Sequence, residues 1–164
     1  MKKALVYSTL TGTVKKCADI IAEKIEDIEL INIKKQKVNT ADYDMIIIGG
    51  AYYMGKLPAK LRKYIKSNKE ALLKKPYAIF ISCSSEDDYK EVLVKNIGKE
   101  LVENALAVEC FGCEIITEQP KGYLRFIAKM TKLSYENEKK PLPELRQDKI
   151  AEFITRIKSI KKTD

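Results

Sequence analysis

The chain of 164 residues contains no histidine. Histidine is the side chain whose charge changes most readily near neutral pH, and it is a frequent metal ligand. Its absence excludes Ser-His and Cys-His nucleophilic catalysis, histidine metal sites and imidazole acid–base chemistry. Any chemistry must therefore come from carboxylates, tyrosines, thiols or a bound cofactor, and we expect neither a metal site nor a dedicated catalytic side chain.

Cysteines and long apolar runs are also scarce. Four cysteines (Cys17, Cys83, Cys110 and Cys113) are too few for a disulfide framework in a chain of this length, so we expect cytosolic thiols. The longest apolar runs, such as MIIIGGAYYMG, are too short and too interrupted by glycine to span a bilayer. The opening MKKALVYSTLTGT turns polar too early for a secretory leader. We therefore expect a cytoplasmic location.

Positive charge is in excess. The formal net charge is +8, and the cations are spread along the chain rather than gathered in a tail. Such a charge suits acidic proteins, membrane surfaces, nucleic acids or anionic ligands as partners. A dispersed excess of lysine is equally well explained as an ordinary solvated surface.

Apolar periodicity predicts strands alternating with helices. A long helix is predicted over 89–102, and a final helix carries apolar residues from Ile150 to Ile160. This alternation predicts an α/β fold, a parallel sheet between two helix layers, in one domain over 1–164. Residues 117–146 form an insert longer than a usual connection. The predicted strands are 3–8, 28–33, 44–50, 77–82 and one within 105–116.

The first strand-to-helix elbow, YSTLTGT, is rich in hydroxyls. Ligands of parallel α/β sheets bind at the carboxyl ends of the strands, and a helix N-terminus favours phosphate. The elbow lacks the lysine of a GxxxxGK[ST] loop and does not match GxGxxG. It also contains no cation, so we expect neutral donors to recognise a single terminal phosphate.

This elbow resembles the phosphate loop of flavodoxins, which has the form [ST]-x-T-G-x-T. Thr9-Leu10-Thr11-Gly12 matches the first four positions, and the spacing then differs slightly, because Thr13 follows Gly12 directly. The resemblance covers nearly the whole chain and implies a flavodoxin-like, doubly wound sheet of five strands in the order 2-1-3-4-5. The stretch YDMIIIGGAYYMGKLPAKLRKYI is most similar to the branch that includes menaquinone-dependent protoporphyrinogen dehydrogenase. That branch also carries a basic, aromatic-rich insert after the fifth strand, which 123–133 resembles.

The resemblance implies FMN as the cofactor. Its phosphate would lie on the first elbow, and its ring would lie between the loops after the third and fourth strands, where only one of the two adjacent tyrosines would stack. Gly49, Gly50 and Gly55 would let the backbone approach the ring. The implied binding residues are Ser8, Thr9, Leu10, Thr11, Gly12 and Thr13 for the phosphate, and Ala51, Tyr52, Tyr53, Met54, Gly55, Cys83, Ser84, Ser85, Glu86 and Asp87 for the ring.

The insert contains a predicted basic amphipathic helix. Its apolar face carries Tyr123, Phe126, Ile127, Met130 and Leu133, and its other face is basic. Such a helix suits an anionic membrane surface at the inner face of the membrane, or a partner protein, through 121–133. It also suits covering the protein's own sheet or a dimer mate, which is the interpretation we favour.

The function that we expect is that of an FMN-binding redox protein carrying electrons or hydride between a reductase and an acceptor. The alternatives are a quinone-linked dehydrogenase acting on a porphyrinogen and, with less support, a flavin-free interaction module. We expect a redox partner protein or a quinone as partner, and no nucleic acid. A redox or metal role for Cys110-Phe-Gly-Cys113 is disfavoured, because residues three apart in a strand face opposite sides.

Overall fold

A computed structural model describes residues 1–84, 88–118 and 120–160. The chain begins with β1 (Lys3–Ser8), α1 (Thr13–Lys24) and β2 (Ile28–Asn32), and a short 3₁₀ turn over Thr40–Asp42 precedes β3 (Met45–Ala51). The central part contains α2 (Ala59–Ser67), α3 (Lys69–Leu73) and β4 (Tyr77–Ser82), followed by α4 (Tyr89–Ile97) and α5 (Lys99–Glu103). The remaining elements are β5 (Val108–Cys110), α6 (Gly122–Asn137) and α7 (Gln147–Lys158).

The five strands form one parallel sheet in the order β2-β1-β3-β4-β5, as predicted. Apolar β3 and β4 lie at the centre, because strands covered on both faces need apolar side chains on both. At the carboxyl edge, Ser8 pairs with Gly50 and Ala51 pairs with Ser82. The register therefore brings the ends of β1, β3 and β4 side by side.

Helices cover both faces of the sheet and form two buried cores. One core contains apolar residues of the sheet together with those of α2, α3, α4 and α5. The other contains α1, α7 and a cluster of three aromatic rings, in which Phe111 stacks on Phe80 and both meet the edge or face of Phe153. The sequence pattern predicted this sandwich correctly.

The predicted long helix over 89–102 is wrong in one respect. It is broken at Gly98, whose φ of +96° lies outside the helical region, so that α4 and α5 are separate. Glycine adopts this conformation without the steric cost that a side chain would impose. No helix within the described ranges is long and apolar enough to cross a membrane.

Candidate functional site

A cavity of about 470 Å³ opens at the carboxyl edge of the sheet. Its walls come from the loops after β1, β3 and β4, which are the three loops that the sequence predicted to form one site. Gly12, Met54 and Gly55 do not line it, and Ser85, Glu86 and Asp87 lie outside the described residues. The predicted residues that do line the cavity are Ser8, Thr9, Leu10, Thr11, Thr13, Ala51, Tyr52, Tyr53, Cys83 and Ser84.

The elbow after β1 presents the N-terminus of α1 to this cavity. Gly12 stands at the N-cap with φ +104°, and its N–H donates to the Thr9 hydroxyl at 3.0 Å. The first turn, Thr13-Val-Lys-Lys, contains no acidic side chain, so nothing within it offsets the positive end of the helix dipole. The exposed N-terminal amides of a helix in such a setting favour an anion.

Ser8 provides an independent sign of a ligand. Its hydroxyl is fully buried, lies beside the cavity and has no hydrogen-bond partner among the described residues. A buried hydroxyl without a partner costs about 1–3 kcal/mol, so native structures usually satisfy such groups. A polar ligand in the cavity would supply the missing partner.

Thr13 was expected to bind the phosphate, but its hydroxyl has a partner within the protein. Its hydroxyl donates to the backbone carbonyl of Glu114 at 3.1 Å, so in this geometry it anchors α1 to the segment after β5. The Glu114 carboxylate in turn pairs with Lys16 at 2.7 Å. Its negative charge is thereby compensated beside the elbow.

The structure adds a cation to the neutral donors that the sequence predicted at the elbow. Lys34, in the loop after β2, lines the cavity, and its ammonium donates to the Thr9 carbonyl at 2.8 Å. Because β2 is the neighbour of β1 in the sheet, its carboxyl end delivers a cation to the elbow. Nothing in the local YSTLTGT pattern could indicate it, since the two segments are about 25 residues apart.

The loop after β3 forms a tight turn. Tyr53 and Lys56 exchange backbone hydrogen bonds of 3.0 and 3.1 Å, and the two residues between them, Met54 and Gly55, have φ of +50° and +75°. Positive φ at both central positions is the geometry of a type I′ turn. Met54 is 92% exposed at its tip.

Asn96 of α4 fastens this turn to the body of the protein. Its side-chain oxygen accepts from the N–H of Leu57 at 2.9 Å, and its amide donates to the carbonyl of Gly55 at 2.9 Å. The residue is buried, and a third bond joins its amide to the carbonyl of Val92. Sequence reasoning missed Asn96, because its partners lie about 40 positions away.

The two adjacent tyrosines lie in different environments. Tyr53 is 63% exposed, whereas Tyr52 is half-buried and packs against the core beneath the cavity. Burial, reinforced by a hydrogen bond with the Cys83 thiol, raises the pKa of the Tyr52 hydroxyl. Tyr52 is therefore neutral at physiological pH and offers an uncharged aromatic wall.

Gly49 and Gly50 have a different role from the one expected. A β-carbon at Gly49 would lie 2.3 Å from the ring of Phe80, and one at Gly50 would lie 2.7 Å from Leu61. Both glycines are thus required by packing on the two faces of β3. The expectation that they admit a flavin is wrong for these two residues.

The insert helix does not cover the sheet. No residue of α6 is buried, and Tyr123, Phe126, Met130 and Leu133 are between 46% and 75% exposed. Of the interpretation that we favoured, the part in which this face packs on the protein's own sheet is therefore wrong, and covering by a dimer mate stays a prediction. The insert instead borders the cavity, through Thr131, Tyr135 and Pro143.

Comparisons with known proteins agree with this architecture. The flavodoxin domain family matches residues 4–141. Oxidised flavodoxin 1 from Bacillus cereus is 24% identical and superposes with a TM-score of 0.51, covering 80% of this chain and 98% of its own.

A flavodoxin from Fusobacterium nucleatum, bound to flavin mononucleotide, is 16% identical with a TM-score of 0.56, covering 96% of this chain and 98% of its own. At these identities the likeness shows the fold. No curated protein sequence matches the chain significantly. The family match spans most of the chain and includes the elbow, the tight turn and all five strands, and the chain therefore belongs to the flavodoxin domain family.

Proposed function

We propose that this protein binds FMN in the cavity at the carboxyl edge and carries electrons or hydride between a reductase and an acceptor. The observation that carries the proposal is the buried Ser8 hydroxyl at the end of β1, which has no hydrogen-bond partner among the described residues and lies just before the N-terminus of α1. The matching flavodoxin from F. nucleatum is bound to FMN. Bound FMN would supply the electron-transfer chemistry, and the protein would supply its position and surroundings.

The elbow after β1 fits the phosphate. The Ser8 hydroxyl and the amides at the start of α1 can donate to phosphate oxygens, and the Thr11 side chain lines the same wall. Lys34 contributes positive charge from the neighbouring loop. Together they offer both hydrogen-bond donors and charge to one dianionic group.

The loop after β3 fits an aromatic ring system. Tyr52 and Tyr53 line the cavity with flat apolar faces, which suits stacking. Asn96 holds the turn that carries Tyr53, so the loop is positioned before any ligand arrives. Ser84 would border the ring from the β4 side.

Binding of FMN compared with riboflavin tests this proposal. Riboflavin has the same ring but no phosphate, so it cannot use Ser8, Lys34 or the helix N-terminus. We expect FMN to bind at least about 100-fold more tightly, since two hydrogen bonds to a charged group contribute roughly 3 kcal/mol. Purified protein without a flavin spectrum that also failed to quench FMN fluorescence on titration would contradict the proposal.

We further propose that α6 meets an acidic redox partner protein. Together with the residue that precedes it, α6 combines exposed apolar side chains with four cations, and it borders the cavity through Thr131 and Tyr135. Apolar contact strengthens such a complex, and opposite charge speeds its formation. The cations are Lys121, Arg125, Lys129 and Lys132.

Electron transfer to a small anionic acceptor tests whether the positive charge of α6 speeds the encounter with an acidic partner. Reoxidation of the reduced, FMN-loaded protein by ferricyanide should slow with added salt and in a variant carrying Arg125→Glu and Lys129→Glu. A control variant carrying Lys24→Glu and Lys158→Glu has the same net charge but alters the end of the molecule near Met1. Equal rates in the two variants would contradict a role for α6, and binding of the protein to anionic lipid vesicles would indicate a membrane surface in place of a protein.

A cytoplasmic location is part of this proposal and rests on the thiols.

A second candidate is a quinone-linked dehydrogenase that oxidises a porphyrinogen. The observation that favours it is the extension of the cavity to the insert, where a planar anionic substrate beside the flavin would meet Tyr135 and Pro143. Oxidation of protoporphyrinogen with menaquinone as acceptor is the assay. Activity that fell on neutralising Arg125, Lys129 and Lys132 would favour this candidate over the carrier.

A further inference from the structure

Two buried thiols meet beside the cavity. Cys83 directly follows β4 and Cys110 ends β5, and their sulfur atoms are 2.8 Å apart. Cys83 and Cys110 are 5% and 3% exposed. The pair joins positions that are 27 residues apart, so it is invisible in the sequence pattern, where Cys110 and Cys113 are the conspicuous pair.

The sheet register produces this contact. Cys110 lies opposite Ile81 in the parallel pair of β4 and β5, and the N–H of Cys83 donates to the Gly112 carbonyl at 3.0 Å. Residues 81 and 83 point to the same face of the sheet, because side chains alternate along extended backbone. Cys83 and Cys110 therefore share one core, to which Cys113 does not belong; Cys83 and Cys113 both line the cavity.

We propose that Cys83 and Cys110 are a site of reversible disulfide formation with a low-molecular-weight disulfide that enters the cavity. The Cys83 residue lines the cavity and lies in front of Cys110, so Cys83 is the first to react. A covalent disulfide requires the sulfur atoms to close to about 2.05 Å. That closure is a side-chain movement of less than about 1 Å from their present separation.

The exchange balances in two steps. The Cys83 thiolate attacks the small disulfide RSSR, which forms a Cys83–SR mixed disulfide and releases one RS⁻. The Cys110 thiolate then attacks the Cys83 sulfur, which forms the Cys83–Cys110 bond and releases the second RS⁻. Two protein thiols are oxidised, two RSH are produced once the released thiolates take up the two protons, and a dithiol reverses both steps.

Disulfide formation would change the cavity wall. The Cys83 sulfur is hydrogen-bonded to the Tyr52 hydroxyl, and this contact changes when the thiol becomes part of a disulfide. The loop after β4 would also be joined covalently to β5. Both changes affect residues that line the cavity or lie directly beneath it.

Thiol mapping of the purified, FMN-free protein tests the proposal independently of cofactor binding. The reduced protein is incubated with oxidised glutathione, denatured, alkylated with N-ethylmaleimide and digested. We expect an intact mass lower by two hydrogens, two thiols protected from alkylation, and a cross-linked peptide that contains Cys83 and Cys110. Treatment with dithiothreitol should restore all alkylation sites.

Single variants give matched controls. The Cys113→Ser variant should form the same cross-link at the same rate, whereas Cys83→Ala and Cys110→Ala should form none. A cross-link between Cys110 and Cys113, a glutathione adduct that persists on Cys83, or full alkylation after oxidation would each overturn the proposal. The mapping of the unmodified chain decides the matter even where a variant fails to fold.

Discussion

Two buried serines at the same edge of the sheet have opposite hydrogen-bond status. Ser8 ends β1 and its hydroxyl has no partner among the described residues, whereas Ser82 ends β4 and donates to the Gly112 carbonyl at 2.9 Å. The Ser82 hydroxyl thus stabilises the fold itself, whereas the Ser8 hydroxyl would be satisfied by a bound ligand. A buried hydroxyl contributes to stability only through the bonds that it makes.

The substitution Ser8→Ala should therefore separate binding from folding. We expect the free energy of unfolding of the FMN-free protein to stay unchanged or to rise by up to about 1 kcal/mol. FMN affinity should fall about 10- to 100-fold, since a hydrogen bond to a charged group is lost. Urea denaturation and fluorescence titration measure the two quantities.

Ser82→Ala is the matched control for this prediction. It removes a made hydrogen bond, so it should lower the free energy of unfolding by about 1 kcal/mol. If Ser8→Ala destabilised the FMN-free protein as much as Ser82→Ala, the Ser8 hydroxyl would have a partner in the folded chain. Such a result would remove the observation on which the proposed function rests.

Lys34 can be tested against its exposed neighbour. Both lysines are exposed, but Lys34 contacts the Thr9 carbonyl and lines the cavity, whereas the adjacent Lys35 does not line it. Lys34→Ala should weaken FMN binding roughly two- to fivefold at low salt, because an exposed charge contributes at most about 1 kcal/mol. Lys35→Ala should have a smaller effect, and neither change should alter riboflavin binding. Equal losses for FMN and riboflavin would contradict a contact with the phosphate.

The helices and strands could be predicted wherever the local sequence alone determines the backbone conformation. Apolar β3 and β4, the helix α1 and the elbow between β1 and α1 all follow from local periodicity and turn residues. The break at Gly98 was missed because a single glycine inside an apolar period is compatible with a helix until its φ is known. Gly49 and Gly50 were assigned to the flavin, although Phe80 and Leu61, distant in sequence, are what they accommodate.

The site was predictable only in part for the same reason. Three of its walls, the loops after β1, β3 and β4, follow strands, and parallel topology places such loops together. Lys34, Asn96 and the contact of Cys83 with Cys110 depend on which strands are neighbours and on their register. The exposure of α6 likewise could not be inferred, because an amphipathic helix shows an apolar face and does not show what covers it.

The insert helix should be energetically separate from the core. Phe126 is 61% exposed on α6, whereas Phe153 of α7 is fully buried against Phe80 and Phe111. Phe126→Ala should change the free energy of unfolding by less than about 0.5 kcal/mol, and Phe153→Ala should lower it by about 3–5 kcal/mol. Chemical denaturation measures both. A large loss for Phe126→Ala would mean that α6 packs on the protein's own body in solution.

Three tyrosine hydroxyls donate hydrogen bonds that join separate segments of the chain. Tyr43 donates to the carboxylate of Glu29 at 2.7 Å, Tyr77 to the carbonyl of Leu101 at 2.7 Å, and Tyr89 to the carbonyl of Val108 at 3.2 Å. Burial is the largest cause that raises the pKa of each of these hydroxyls, from 10.0 to about 12. Each bond joins elements that are separate in the chain, so their loss weakens the assembly of the sandwich and not a single helix.

These pKa values predict the alkaline limit of stability. A tyrosine whose folded pKa is raised stabilises the fold fully below its unfolded pKa of 10.0, and that contribution is lost as the pH rises toward about 12. Lysines lose charge in the same range, which relieves self-repulsion of the +8 molecule and acts in the opposite direction.

Comparison with Tyr77→Phe separates the two effects, because both proteins carry the same lysines. The variant should be less stable at neutral pH, since the Leu101 carbonyl loses its donor, but it should lose less stability between pH 10.0 and about 12. Circular dichroism and tyrosinate absorbance along the pH titration measure unfolding and ionisation together, and parallel stability curves for the two proteins would contradict the contribution of Tyr77.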